Sequence, residues 1–200
     1  MESKPAAQPA ENASSASILP QQHEEDTLPW FAVRLFMAKP QVVMDYLTVQ
    51  QLPYFIPMEY VDVEDKDHHI RQQLRPVVRN LVFIKKSKPE KTIRQLLMEA
   101  PFKSSVIRKS KDDSRYYEIP AKQMFEFQAM CNPEIAMRKF LSEEQAKLKP
   151  GTPVYVKYGP LKGLSGRLVR SNKKYFLLKE IPCMGVMLKV ARWCCKPLQS

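Results

Sequence analysis

The sequence predicts a mixed α+β domain followed by a small all-β module, and three observations carry this prediction. In residues 27–132, apolar residues at helical spacing alternate with short runs rich in aromatic and β-branched residues. After Gly151 the pattern changes to short alternating runs separated by turn residues. All 5 glycines lie in residues 151–200. Three of them fall between Gly159 and Gly166, which indicates a tight, defined connection between two strands.

The first 26 residues are rich in Ala, Pro, Ser, Gln and Glu and have no periodic apolar pattern. This composition predicts a disordered tail over 1–26. The start of the chain lacks the apolar stretch of a signal peptide, and no apolar run approaches the ~20 residues of a membrane span. We therefore expect a cytoplasmic protein without membrane contact.

Order is expected to begin with a strand at Trp30–Phe36, since its aromatic and β-branched residues suit a strand buried on at least one side. Pro40 is suited to the first turn of a helix. Apolar residues at helical spacing then extend that helix over 40–51. A second strand is predicted at 54–61.

A long hairpin is expected next. Residues 62–73 are too charged for a core and are predicted to form its exposed tip, with a return strand at 76–86. Two helices follow, with two short strands at 105–108 and 116–119 between them. The second helix starts after Pro89 and has Ile93, Leu96, Leu97 and Ala100 on one face. The third ends before Pro133 and has Met124, Phe127 and Cys131 on one face. Together these elements predict an antiparallel sheet flanked by helices, over residues 27–132.

Residues 133–149 are charged and are predicted to be a linker. Ser142 and Gln145 have the spacing of a capping box, so part of the linker is expected to be helical. The module at 150–200 is predicted to be a small β-barrel, because closure removes exposed strand edges. Its strands are predicted at 153–158, 166–170, 174–180, 184–190 and 192–196.

Charge is unevenly distributed along the chain. Residues 1–26 have a net charge of −4 and residues 27–150 of +6, whereas residues 151–200 have 10 basic residues and the single acid Glu180. A basic module of this kind favours contact with nucleic acid or an acidic protein surface, and a solvated small domain is the equally weighted alternative.

The two halves together resemble the NusG family of transcription elongation factors over residues 29–198. Val154–Val169 resembles a KOW motif, in which an alternating strand is followed by a Gly-Pro-hydrophobic turn and a glycine opens the next strand. Trp30-Phe31-Ala32-Val33 resembles the opening strand of the NusG N-terminal domain, and Arg75–Ile84 resembles its central hairpin strand. Tyr117–Pro120 matches the segment before its last helix. The resemblance implies a NusG-type α+β domain followed by an SH3-like KOW barrel.

One departure from the family pattern is informative. Housekeeping NusG proteins usually have Pro-Gly where this chain has Arg79-Asn80, and Asn tolerates the left-handed conformation. Specialised paralogs often depart here. With its long linker and acidic tail, the chain resembles the UpxY group of operon-specific antiterminators that serve capsular polysaccharide operons.

The resemblance implies that the N-terminal domain docks on a helical coiled coil of the RNA polymerase clamp. The matching positions are Arg34, Val78, Leu81 and Phe83. Strand alternation places Leu81 and Phe83 on one face of the sheet, so one set of side chains can form an exposed patch while the other fills the core. The alternative is that all of them are core residues.

Further contacts are implied at other positions. Arg94 and Gln95 on the second helix are expected to contact the opposite side of the polymerase cleft. Contact with non-template or upstream DNA is assigned to two groups, Lys39 with Gln41 on the first helix and His68, His69 and Arg71 on the hairpin tip.

The KOW module is expected to recruit a ribosomal protein, a termination factor or RNA. Its candidate contacts are Lys157, Tyr158, Leu161, Lys162, Leu164 and Arg167, although Tyr158 and Leu161 can also serve simply to pack the turn.

The main alternative is a ribosome-associated RNA-binding protein that uses the KOW barrel. An enzyme is a distant third, because residues 1–150 have no glycine loop for phosphate and the 3 histidines offer little for acid–base catalysis. The 4 cysteines lack Cys-x-x-Cys spacing, so they are expected to be reduced thiols that hold no metal. We expect no cofactor and a monomeric chain.

Overall fold

The computed structural model describes residues 27–66, 68–110, 112–113, 115–135 and 137–198. Within these residues the protein is a mixed α+β structure, and its paired strands are antiparallel. It contains two large sheets and a separate two-stranded hairpin. The predicted disordered tail, residues 1–26, lies outside the described residues.

The first sheet and the hairpin are built from the N-terminal strands. These are β1 (Trp30–Phe36), β2 (Tyr54–Phe55), β3 (Met58–Glu64), β4 (Ile70–Pro76), β5 (Leu81–Lys85), β6 (Lys103–Val106) and β7 (Glu118–Ile119). The sheet has the order β2-β5-β1-β6, and β7 pairs with the start of β1 beside β6. Trp30, Phe31, Ala32, Val33 and Leu35 of β1 are buried, as their composition predicts for a central strand.

Strands β3 and β4 form the hairpin, with Met58 opposite Pro76 and Glu64 opposite Ile70. The predicted loop at 62–73 is therefore mostly paired strand, and the return strand is Ile70–Pro76. Of the return strand predicted at 76–86, residues 81–85 form β5 of the first sheet instead. Charged residues are compatible with β3 and β4 because most of their side chains face solvent. Residues 79–80 form a turn, and Asn80 does not adopt the positive φ that its identity suggested.

Helices cover both faces of the first sheet. The helices are α1 (Pro40–Val49), α2 (Glu90–Glu99) and α3 (Ala121–Met130), all close to their predicted positions. Val43 and Leu47 of α1 and Ile93 and Leu97 of α2 share one core with Phe31, Val33, Val82 and Ile84. The Tyr46 hydroxyl donates to the Leu96 carbonyl (2.6 Å) and so joins α1 to α2. Helix α3 packs against the other face.

The second sheet is curled into a half-barrel with the order β13-β9-β10-β11-β12-β8. Its elements are β8 (Arg138–Ser142), α4 (Glu143–Lys147), β9 (Thr152–Val156), β10 (Ser165–Ser171), β11 (Lys174–Ile181), β12 (Met184–Lys189), a 3-10 helix (Arg192–Cys194) and β13 (Cys195–Pro197). Among the described residues, the edge strands β8 and β13 are not paired with each other.

The segment 133–149, expected to be a linker, contributes β8 and α4 to this sheet. Strand β8 pairs with β12, and its two apolar side chains are partly buried on opposite faces of the sheet. Phe140 packs against the larger core, and Leu141 packs against a smaller core that includes Ala146. The predicted capping box is confirmed. Ser142 Oγ accepts from the Gln145 N–H (3.2 Å), and Gln145 Oε1 accepts from the Ser142 N–H (3.1 Å).

Helix α3 lies between the two sheets and is buried on two faces. Phe127 packs against the first sheet, where its ring lies 5.7 Å from the Phe83 ring, and Met124 is buried in the same core. On its other side, Gln123 Nε2 donates to the Glu180 carbonyl of β11 (2.8 Å). One continuous apolar core therefore runs from the first sheet through α3 into the half-barrel.

Candidate functional site

The central strand β5 is buried on both faces. Leu81 and Phe83 are 3% and 0% exposed, as fully covered as Val82 and Ile84. Phe83 and Phe127 form an aromatic cluster with Phe55, with ring centroids 5.7–6.4 Å apart. The expectation of an exposed patch at Leu81 and Phe83 is therefore wrong, because α3 covers the face opposite α1 and α2. The alternative reading of these residues as core describes their burial correctly.

Arg34 is exposed on β1, directly opposite Leu81 on β5. Its positive charge lies near two groups of the second sheet, the Glu143 carboxylate and the Cys183 thiol. Glu143 also accepts from the Cys183 N–H (2.9 Å) and from Lys147 Nζ (2.5 Å). Val78 is half-buried and packs against the core that contains Leu81 and Phe83. The positions predicted to dock on the polymerase clamp thus lie where the two sheets meet.

A buried polar cluster lies at this junction. The Glu126 carboxylate of α3 pairs with Lys179 Nζ of β11, and the two side chains are 4% and 12% exposed. Ser165 Oγ donates to Glu126 (2.8 Å) and lies 3.2 Å from Lys179 Nζ. The sequence did carry a signal for this cluster, since Lys179 is a charged residue within the apolar run of β11.

Arg94 and Gln95 are exposed on α2, on the side of the first sheet away from α3. Gln95 Nε2 donates to Glu99 (2.9 Å), and the Arg94 guanidinium lies 5.0 Å from the Tyr116 ring centre. Arg94 also borders an open groove of about 790 Å³ between α2 and the edge strand β6. Both residues are therefore accessible to a partner on a face distinct from that of Arg34.

The two groups predicted to contact DNA lie on separate elements. Lys39 precedes α1, where the Gln41 side chain donates to Asp45 (2.7 Å). His68, His69 and Arg71 lie at the β3–β4 turn beside Glu64 and Asp65, and Arg71 Nε is 3.1 Å from the Asp65 carboxylate. This arrangement compensates the positive charge of the turn. The described residues contain no group of three or more potential metal ligands.

The glycine-rich turn between β9 and β10 has a defined backbone. Gly159 and Gly163 have φ of 84° and 91°, which a side chain would oppose. The Gly163 N–H donates to the Val156 carbonyl, and the Val156 N–H donates to the Leu164 carbonyl, both at 2.9 Å. A Cβ on Gly166 would lie 2.5 Å from the Leu178 carbonyl oxygen. The turn thus requires glycine for both φ and space.

The six candidate contacts around this turn separate into three groups. Leu161 and Leu164 are 7% and 0% exposed, so their assignment to a partner surface is wrong, and they pack the turn. Arg167 is bonded internally to Glu180 (2.7 Å) and to the carbonyls of Ala146 and Lys149 at the end of α4. The exposed candidates are Lys157, Tyr158 and Lys162.

No family model matches this chain, and no curated protein matches it. Among the described residues, no helix has the length and apolar character needed to cross a membrane.

Sequence reasoning missed Trp193. It lies on the 3-10 helix with 75% of its surface exposed, and its ring stacks on that of Tyr158 at 6.3 Å and 30°. The available signal was a tryptophan between Arg192 and two cysteines in a basic module. The structure brings this residue next to the glycine-rich turn, where the sequence had placed a partner surface.

Proposed function

We propose that this chain is a transcription elongation or antitermination factor. In this proposal it binds RNA polymerase through residues 27–132 and suppresses pausing or termination, in an operon-specific manner of the capsular or exopolysaccharide type. The observation that carries the proposal is the NusG-like sequence pattern, which extends in order over residues 29–198. An antiparallel sheet flanked by helices and a curled sheet with a glycine-dependent turn support it.

The geometry changes which residues are proposed to dock on polymerase. Leu81 and Phe83 are buried beneath the proposed docking surface, so they support it and do not contact the partner. Arg34 and the half-buried Val78 are the accessible members of the predicted set. Arg34 is exposed where the two sheets meet, near Glu143 and Cys183, so a partner that docks on it would lie at this junction.

Arg94 and Gln95 provide a second contact in this proposal. They lie on α2, on the opposite side of the first sheet from α3. A protein held at two sites across the polymerase cleft would favour the closed, elongating conformation through binding energy alone. No catalytic group is needed for such an activity.

The test is a pull-down of purified core RNA polymerase with the full chain. Arg34→Glu is expected to reduce retained polymerase about tenfold, because it reverses a charge at the docking surface. Lys174→Glu makes the same charge change at the exposed start of β11, outside both proposed contacts, and is expected to bind as the wild type does. Absence of binding by the wild type would overturn the proposal. Equal binding by the Arg34 variant would overturn only the docking surface.

The net charge of residues 151–200 favours a second function, that of a ribosome-associated RNA-binding protein. The two functions are separated by sedimentation of a cell extract after polymerase has been depleted. Co-sedimentation with ribosomes that survives depletion supports the second function, and its loss supports the first.

A further inference from the structure

Three aromatic side chains and three cations form a continuous strip on the half-barrel. We call this the aromatic–basic strip; its members are Lys157, Tyr158, Arg170, Tyr175, Arg192 and Trp193. At one end Trp193 stacks on Tyr158, and the two are 75% and 47% exposed. Lys157 Nζ lies 5.3 Å from the Tyr158 ring centre. At the other end the Arg170 and Arg192 guanidinium groups lie 5.8 and 5.7 Å from the Tyr175 ring centre.

The backbone holds this strip in place. The 3-10 helix that carries Arg192 and Trp193 is anchored by buried Cys194, whose carbonyl accepts from the Lys157 N–H (2.8 Å). Tyr175 is opposite Arg170 in the β10–β11 ladder, and its carbonyl accepts from the Val190 N–H (3.0 Å). Because both ends are tied to strands, little conformational freedom remains to be lost when a ligand binds.

The charge around the strip is positive and uncompensated. Glu180 is the single acidic residue in 151–200, and Arg167 pairs with it. Lys179 is occupied by Glu126. Across residues 151–198, the part of the module that the structure describes, the remaining eight Lys and Arg side chains have no ion pair. The three cations of the strip are among them.

A ligand for this strip must combine negative charge with flat aromatic faces. Stacking on Tyr158 uses one face of Trp193, and an exposure of 75% leaves its outer face accessible. Single-stranded nucleic acid has both properties, since its phosphates are anionic and its unpaired bases present their faces. In a duplex those faces are hidden in the base stack. An acidic protein segment would satisfy the cations but would leave the tryptophan without a stacking partner.

We infer that the aromatic–basic strip binds single-stranded nucleic acid, with a base stacked on Trp193 and phosphates beside Lys157, Arg192 and Arg170. This inference does not depend on polymerase binding and assigns the strip a ligand of its own. Trp193 is the anchor of the site, and Tyr158 orients it.

The experiment measures fluorescence anisotropy of a labelled 12-nucleotide oligouridine RNA titrated with the full chain. Trp193→Ala is expected to weaken binding about tenfold, in keeping with the loss of one base-stacking contact. Trp193→Phe should recover part of the affinity, because it restores a stacking face. Tyr117→Ala removes an exposed aromatic residue outside the strip and is expected to leave affinity unchanged. Arg192→Gln should reduce the dependence of affinity on salt concentration.

A 12-nucleotide oligothymidine DNA and a blunt DNA duplex complete the test. Stronger binding of the RNA identifies RNA as the ligand, and equal binding of the two single strands identifies single-stranded nucleic acid in general. Equal binding of the duplex would overturn the inference. Unchanged affinity in the Trp193→Ala variant, or equal competition by an acidic peptide of the same charge, would also overturn it.

Discussion

Glu126 of α3 and Lys179 of β11 form an ion pair across the junction of the two sheets, 53 residues apart in the chain. Both side chains are largely removed from solvent, and Ser165 completes the hydrogen bonding of the carboxylate. Buried charges require partners, because an unpaired charge in an apolar environment is strongly unfavourable. The pair therefore ties α3 to the half-barrel at a defined position.

Glu126→Gln is expected to destabilise the protein by about 3 kcal/mol, because it leaves Lys179 buried without a counter-charge. The measurement is urea unfolding followed by circular dichroism. Glu90→Gln removes one partner of the exposed pair with Arg94 and should cost less than about 0.5 kcal/mol. The double variant Glu126→Leu with Lys179→Met should recover most of the loss. Equal stability of Glu126→Gln and the wild type would contradict a buried pair.

Two glycine substitutions should differ in cost for a structural reason. In Gly166→Ala the new Cβ would approach the Leu178 carbonyl oxygen to 2.5 Å, so the β10–β11 ladder must shift, at a cost of about 2–3 kcal/mol. In Gly159→Ala no atom lies within 4 Å, and the cost of about 1 kcal/mol comes from the positive φ alone. Thermal unfolding of the two variants tests this order, and a reversed order would show that space is not limiting at Gly166.

The contribution of the Glu143 carboxylate to the stability of the protein should decrease as the pH falls. The hydrogen bond from Lys147 is the main factor that lowers the pKa of the Glu143 carboxyl, and the Cys183 N–H adds to it. A carboxyl group with a lowered folded-state pKa stabilises the protein above its unfolded pKa. That contribution is lost as pH falls through the folded-state value.

The check is urea unfolding of the wild type and Glu143→Gln at pH 7 and at pH 3. The wild type should be the more stable at pH 7, and the difference should shrink at pH 3. A difference that is constant with pH would rule out a role for the ionised carboxylate.

Cys131 should be unreactive in the folded protein. Burial raises the pKa of its thiol far above the usual range, and only the thiolate reacts with alkylating reagents. Iodoacetamide labelling with peptide mass analysis should modify the half-buried Cys183 and Cys195 before Cys131, and all cysteines equally in urea. Early labelling of Cys131 in the folded chain would mean that α3 separates readily from the core.

The sequence and the structure agree where the pattern is local. Pro40, the Ile93–Leu97 spacing and the Ser142 capping box each depend on residues within a few positions of one another, and each occurs as predicted. Four of the five predicted strands of the half-barrel also lie close to the observed ones. The strand predicted at 192–196 is wrong over most of its length, because Arg192–Cys194 form a 3-10 helix. Strand β8 was missed because Phe140 and Leu141 become buried only through pairing with distant β12.

The candidate site depended more on distant contacts. Alternation placed Leu81 and Phe83 on one face correctly, but it carried no information about whether α3 covers that face. The Tyr158–Trp193 stack joins residues 35 positions apart, and no periodic pattern links them.

By itself the sequence determined the mixed α+β character, the positions of most helices and strands, and the glycine-dependent turn. These follow from backbone preferences and short-range apolar periodicity. Only the tertiary structure decided that α3 is buried on two faces, that the predicted linker completes the second sheet, and which charged and aromatic residues meet. Those outcomes depend on burial against distant parts of the chain, because the free energy of a side chain is set by what packs over it.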